Sequence, residues 1–313
     1  MSLGIQVSNL SKSFGRVHAV DDLSFVVEPG RVTGFLGPNG AGKTTTLRML
    51  LGLARANSGT ATFDGRRYTD FRQPARHIGA ALEASSFHPG RTARDHLRLF
   101  APAAGAGDAR CDELLSFLGL EDAANRRVQG FSTGMRQRLS LATALLGDPE
   151  VLILDEPTNG LDPEGIAWLR TFLRNYAESG RTVLVSSHVL SEVQQSVDDV
   201  VIIARGRLVH ESALRELHAL AEPAAVVSGP DPDALRAALQ ATGWPVTDEG
   251  AGTFRIAGVR ASEVGHALYA ARVEIHRLED DAPSLEETFL RLVDGPPQSH
   301  HHPATAQDGR AGE

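Results

Sequence analysis

The chain has 313 residues, 42% of them hydrophobic and 22% charged, with a formal net charge of −8. That apolar content excludes a disordered chain, and the single cysteine, Cys111, excludes an internal disulfide framework. Apolar runs of four or five residues fall far short of the roughly 20 that a membrane-spanning helix needs. The length fits one or two domains, and the acidic balance gives no general electrostatic case for nucleic-acid binding. Met1 to Ile5 lack the basic and apolar regions of a signal peptide, so a reducing cytosol is the expected compartment.

In chain order, Ile5, Val7 and Leu10, then Leu23, Phe25 and Val27, alternate with polar residues. They predict short half-exposed strands broken by Asn9 and by Pro29-Gly30. Val32–Leu36 predicts a short apolar strand, followed by a glycine-rich loop and a helix over Leu47–Leu53. From Arg91 to Gly147 the leucine spacing is mostly helical. Three apolar strands follow, Val151–Leu154, Thr182–Ser186 and Val200–Ala204, separated by helices at Glu164–Ala177 and Leu190–Val197. Strands alternating with helices predict a parallel sheet covered on both faces.

Past Leu220 the pattern changes. Strands are expected at Ala224–Ser228, Val246, Phe254–Ala257 and Glu274–Leu278, with helices at Pro232–Ala241 and Ser262–Ala271. That order, β-α-β-β-α-β, is the ferredoxin-like one. Ser284-Leu285-Glu286-Glu287 fits a capping box, and Leu285, Thr288, Phe289 and Leu292 mark one helical face. The expected division is a larger α/β domain over 1–220 with a helical part at about 86–147, an accessory α+β domain over 221–294, and a disordered tail over 295–313.

The chemistry concentrates in a few segments. Gly37-Pro38-Asn39-Gly40-Ala41-Gly42-Lys43-Thr44 matches G-x-x-x-x-G-K-S/T between a predicted strand and a predicted helix. The glycines let backbone N–H groups turn onto phosphate oxygens, and the helix N-terminus adds positive dipole. Lys43 is placed for the β- and γ-phosphates and Thr44 for Mg²⁺. Lys12 and Lys43 are the only lysines among 31 basic residues, so a lysine here has a reason: a compact ammonium fits between phosphates where a planar guanidinium does not. Val151–Leu154 then delivers Asp155 and Glu156 to a strand end. Ligands bind at that end of open α/β sheets, so Asp155 is a candidate Mg²⁺ ligand and Glu156 a candidate base for water.

These segments resemble the nucleotide-binding subunit of an ATP-binding cassette (ABC) transporter, over about residues 3–215. The most specific match is Phe131-Ser132-Thr133-Gly134-Met135, which resembles the signature LSGGQ; Ser132 and Gly134 match, whereas Thr133 and Met135 depart. The resemblance implies an α/β P-loop cassette with a RecA-like core, an antiparallel β subdomain and a helical subdomain, plus the small α+β C-terminal domain. It implies ATP held by Gly37 to Thr45, including Pro38, Asn39, Gly40, Ala41, Gly42, Lys43 and Thr44, with Phe14 stacked on adenine. Ser132, Thr133, Gly134 and Met135 would close on the γ-phosphate of ATP held by a second copy. Asp162, in Gly160-Leu161-Asp162-Pro163, resembles the loop that crosses that dimer interface, and His188 the switch histidine at the γ-phosphate. The family usually has glutamine where this chain has Glu83; with Thr44 and Asp155 it would complete the Mg²⁺ ligands.

Glu83 to Pro89 and the Met135 signature resemble the bacitracin, lantibiotic and drug-resistance exporter branch, and so does the Ser284–Val293 helix. The implied protein is a homodimeric ATPase, cytoplasmic and peripheral on the inner face of the membrane, that powers export through a separate permease. Two alternatives stand beside it: a soluble cassette ATPase acting on nucleic acid or ribosomes, and an importer ATPase. Only one cassette and no long coiled coil are present, which disfavours the first, and no nucleic-acid partner is expected. Cys111, Arg126-Arg127 and His300-His301-His302 read as an inert thiol, a solvated face and tail composition.

Overall fold

The computed structural model describes residues 3–82, 87–220, 223–281 and 284–294. Glu83 and the tail 295–313 therefore lie outside the described residues.

Strands β1 (Ile5–Phe14) and β2 (Val17–Val27) form a long hairpin, and β3 (Val32–Leu36) follows, buried throughout. Helix α1 (Lys43–Leu50) leads to β4 (Ser58–Phe63) and β5 (Ile78–Ala81). The helical part comprises α2 (Ala93–Phe100), α3 (Asp108–Phe117) and α4 (Thr133–Ala144). Then come β6 (Val151–Asp155), α5 (Pro163–Glu178), β7 (Thr182–Ser187), α6 (Leu190–Val193), β8 (Asp199–Ala204), β9 (Arg207–Ala213) and α7 (Leu214–Ala219). The accessory region runs β10 (Ala224–Ser228), α8 (Pro232–Ala241), β11 (Val246–Gly250), β12 (Thr253–Ala257), α9 (Ala261–Ala270) and β13 (Arg277–Asp280), and α10 (Leu285–Asp294) closes the described chain.

Three sheets result. The first, β2-β1-β4, is antiparallel. The second runs β5-β6-β7-β3-β8-β9 and is parallel except for its edge strand β9. Asp155, Ser187 and Leu36 end adjacent strands of this sheet, so the strand order brings their loops to one rim. One apolar cluster packs the first sheet and α1 against the central sheet through Phe25, Phe35, Leu47 and Ile153. A second packs the helical part, α5 and the other sheet face through Leu97, Leu115, Leu139 and Leu152. On α5, Trp168, Phe172 and Tyr176 recur at helical spacing, and Phe117 of α3 lies edge-on to the first two rings.

The third sheet has the order β11-β12-β10-β13, antiparallel throughout, which is the ferredoxin-like arrangement. Its core of Ala225, Val227, Leu235, Leu239, Phe254, Ile256, Val264 and Leu268 is separate from the other two. The α10 helix departs from the expected division. It falls within the expected accessory bounds of 221–294, yet Leu285 and Phe289 of its apolar face are buried in the cassette's second cluster. The reason is that α8 and α9 already cover the accessory core, so a further amphipathic helix finds its apolar partner elsewhere. The predicted helix Leu190–Val197 shrinks to Leu190–Val193, and β5 and β9 lacked a clear signal because each is short or half-exposed.

Candidate ATP-hydrolysis site

At the end of β3 the chain turns through Gly37 to Gly42 into α1. Gly42 has φ +106°, and a Cβ there would lie 2.4 Å from the Ala19 carbonyl oxygen; a Cβ on Gly37 would lie 2.4 Å from that of Ile203. Only glycine fits either position, so the loop hugs the sheet; the Gly37 amide is bonded to the Ser187 carbonyl and the Ala41 amide to that of Pro38. The loop borders a cleft of about 370 Å³, lined by Asn39 to Thr45, Ala19, Glu156, Asn159 and His188.

Lys43 is 6% exposed. Its Nζ donates to the carbonyls of Gly37 at 2.6 Å and Pro38 at 3.4 Å, and stands 3.3 Å from Glu156 Oε1. The other carboxylate oxygen of Glu156 lies 2.8 Å from His188 Nδ1. One carboxylate thus joins an ammonium and an imidazole at the mouth of the phosphate loop. The carboxylate also fixes which imidazole nitrogen carries the proton. Glu156 has φ +49°, a left-handed conformation that non-glycine residues hold only when their surroundings over-determine it.

Thr44 Oγ1 donates at 2.8 Å to Asp155 Oδ2, and the Ser186 hydroxyl donates to Asp155 Oδ1. Ser186 Oγ also accepts from the Glu156 amide at 3.0 Å. Asp155 is only 8% exposed, and these bonds satisfy a carboxylate that would otherwise be costly to bury. Two hard oxygen donors side by side suit a small divalent cation.

The signature segment lies elsewhere. Ser132 caps α4, its hydroxyl accepting from the Met135 amide at 3.2 Å, while Thr133 and Gly134 pack against Gly160. None of Ser132 to Met135 lines the cleft around Lys43. Asp162 caps α5 by accepting from the Gly165 amide at 2.9 Å. Phe14 ends β1, 56% exposed, with the Lys12 ammonium 5.0 Å over its ring. It is outside the cleft lining.

Sequence reasoning missed several groups. Ser186 ties Asp155 to Glu156, and its signal was available: a buried polar pair, Ser186-Ser187, ends a strand otherwise rich in valine and leucine. Gln137 donates from α4 to the backbone carbonyls of Glu156 at 3.4 Å and Asn159 at 3.3 Å. Thr158 donates at 2.6 Å to Glu192, and nothing in the local sequence sets either residue apart.

The parallel sheet, the phosphate loop on α1 and the acidic pair ending β6 define a P-loop ATPase of the cassette type. The family model described as ABC transporter matches residues 20–159. The chain belongs to the ATP-binding proteins of ABC transporters. It is 38% identical over 300 residues to the Nod factor export ATP-binding protein I of Paraburkholderia xenovorans (strain LB400), covering 92% of this chain and 96% of that one. It is 44% identical over 214 residues to the bacitracin transport ATP-binding protein BcrA of Bacillus licheniformis, covering 67% of this chain and 70% of that one. A solved structure of an ATP binding subunit of an ABC transporter superposes with a TM-score of 0.63 at 30% identity, over 69% of this chain and 92% of the other. A dimeric cassette bound to ADP and Pi shares the fold, with a TM-score of 0.61 at 23% identity, over 67% of this chain and 99% of the other. The accessory region, residues 223–286, matches the domain of unknown function DUF8746. Among the described residues no helix is long and apolar enough to cross a membrane.

Proposed function

We propose that this ATPase works as a homodimer that powers export of a drug, a peptide antibiotic or a similar cargo through a separate membrane permease, from the inner face of the cell membrane. The observation that carries the chemistry is the convergence of Lys43 and His188 on the carboxylate of Glu156, next to the Thr44–Asp155 pair. The names of the relatives, which concern bacitracin transport and Nod factor export, support the direction and the class of cargo. They give no support to an importer or to a soluble ATPase acting on nucleic acid or ribosomes.

In this reading the amides along Asn39 to Thr45, which line the cleft, and the Lys43 ammonium hold the β- and γ-phosphates of ATP, with Gly37 and Pro38 shaping the turn. Thr44 and Asp155 would hold Mg²⁺, which would supply neutralising charge at those phosphates. Glu156 orients water and accepts its proton, and His188 contacts the γ-phosphate while holding Glu156 through Nδ1. Phe14 would stack on adenine through the part of its half-exposed ring that Lys12 leaves open. Ser132 to Met135 serve the ATP of the opposite copy, because they stand apart from their own chain's cleft. Their cap amides and hydroxyl suit an anion at a helix start. Asp162 crosses between the copies.

The test is Glu156→Gln, tagged and recovered with ATP from gently solubilised membranes. Turnover should fall by on the order of a hundredfold or more while ATP is still bound, the loss expected of a missing general base. The ATP-loaded variant should be dimeric and should carry a multi-span membrane protein at roughly equal amount. Turnover close to that of the unaltered protein removes Glu156 from the chemistry. A dimer found with ribosomes or nucleic acid, and no membrane protein, overturns the export reading.

A further inference from the structure

The loop from Glu156 to Asp162 joins the proposed base to the proposed dimer contact, and besides the contacts of the Glu156 and Asp162 side chains three ties bear on its backbone and on Thr158. Ser186 receives the Glu156 amide, and Gln137 reaches the carbonyls of Glu156 and Asn159. The third tie is Thr158, 7% exposed, whose hydroxyl donates at 2.6 Å to Glu192 Oε2. A carboxyl oxygen is a strong acceptor for a hydroxyl donor, and 2.6 Å is at the short end for an O–H···O bond. The tie matters because Glu156 at φ +49° keeps its conformation only while its neighbours enforce it.

Glu192 is carried by α6, which has four residues and is too short to persist alone. Leu190 and Val193 anchor it in the cassette core at 1% and 3% exposure. Phe289 and Leu285 of α10 pack in that same core, and Ser191 Oγ of α6 donates at 3.4 Å to Glu286 Oε1 of α10. The chain leaves the cassette after α7, builds the accessory sheet and returns as α10. The helix that follows the accessory region therefore backs the helix that holds Thr158.

We propose that Glu192 is a positioning residue for ATP hydrolysis: by accepting the Thr158 hydrogen bond it holds the Glu156–Asp162 loop in its working shape, and α10 keeps Glu192 in place. This rests on the role of Glu156 given above. Neither Glu192 nor Thr158 touches the phosphate loop, so the prediction is a fault in kcat with binding intact.

The experiment uses the full chain with Glu192→Ala, Glu192→Gln, Thr158→Val and the Glu192→Ala/Thr158→Val pair, measuring kcat, KM and ATP affinity. Glu192→Ala should lower kcat by about tenfold, with KM and affinity within about twofold, the mark of an interaction that serves the transition state. Glu192→Gln keeps an acceptor oxygen and should recover kcat to within about threefold of the unaltered protein. The pair should be no worse than its worse member, because both changes remove one bond. Phe289→Ala should lower kcat by about threefold at unchanged KM, since it loosens the helix behind α6. Equal losses for Ala and Gln, losses that multiply in the pair, or a fall in ATP affinity overturn the positioning role. Unchanged kcat in Phe289→Ala overturns the part given to α10. Thr158→Val and Glu192→Gln keep side-chain volume, so the answer survives if Glu192→Ala fails to fold. Glu156→Gln run alongside separates the two readings: normal turnover there sinks the base, whereas the Ala-to-Gln contrast at Glu192 judges the tie itself.

Discussion

In the central sheet β3, β6 and β7 are buried from end to end, whereas in the accessory sheet only β10 approaches this and β11 is exposed along most of its length. The difference decides where polar chemistry can gather. Parallel strands covered on both faces have no lateral surface for charged groups, so those groups collect at the strand ends. Asp155, Glu156, Ser186 and His188 do so, and the phosphate loop joins them from β3. In the accessory sheet, charges have an open face and neutralise one another across it. Arg255 pairs with Asp281, and Arg277 with Glu279. Arg236 holds Asp248 below the ordinary carboxylate range, and Arg277 does the same for Glu279. The first arrangement converges on one cleft, and the second spreads paired charges over a surface.

If the two regions are as separate as their cores, the accessory one can be broken without harm to ATP binding. Phe254 is 1% exposed among Leu235, Leu239, Val264 and Leu268. Phe254→Ala should cost about 3–5 kcal/mol, a large share of the stability a region this small can have. Denaturant unfolding should show an accessory transition at much lower midpoint, with ATP affinity unchanged. Affinity falling in step with that transition would mean one cooperative unit, and the comparison would fail.

The same contrast sets how much could be read from the sequence. β10 and α8 match their expected bounds, and β6 and β7 do so within a residue, because each apolar run or amphipathic period gives way to polar residues or glycine. The phosphate loop and the Asp155-Glu156 pair were legible because each needs fixed residue types at fixed spacing. The ties among them were not. Ser186, Gln137, Thr158 and Glu192 are brought to Asp155 and Glu156 from β7, α4 and α6 by the packing of the whole cassette. Spacing along one element carries no trace of such meetings. The destination of α10 was also hidden, because an amphipathic face states that it will be buried without stating against what.

Lys43→Ala probes the opposite side of the comparison. It removes the ammonium that reaches the Gly37 and Pro38 carbonyls, without touching the accessory core. ATP affinity in a titration should fall by on the order of a hundredfold, as expected for losing a charged contact to phosphate. Lys43→Arg should also bind poorly, since a side chain 6% exposed leaves no room for a planar guanidinium. The accessory transition should keep its midpoint in both variants. Near-normal affinity in Lys43→Ala would remove the ammonium from phosphate binding.

Mild acid should distinguish the regions through a smaller effect. His96 of α2 is 5% exposed, its ring 4.8 Å from that of Phe87 and 4.9 Å from that of Phe100. Its Nδ1 has no hydrogen-bond partner among the described residues. Burial, with the nearby Arg91 charge adding to it, lowers its pKa from 6.5 to about 4. Above pH 6.5 neither the folded nor the unfolded chain protonates this ring. Between 6.5 and about 4 only the unfolded chain does, so stability falls as pH drops, and the loss levels off once the folded ring also titrates. At pH 5.5 the cost is about 1 kcal/mol relative to pH 7.5. Asp248 and Glu279, the accessory carboxylates that Arg236 and Arg277 hold low, bind protons only in stronger acid, so they supply no comparable loss over this interval. Denaturant unfolding at the two pH values should therefore move the cassette transition and leave the accessory one in place. His96→Leu should remove the shift, because an apolar side chain has no proton to bind in either state. A shift that persists in His96→Leu, or one shared equally by both transitions, would assign the acid sensitivity to other groups.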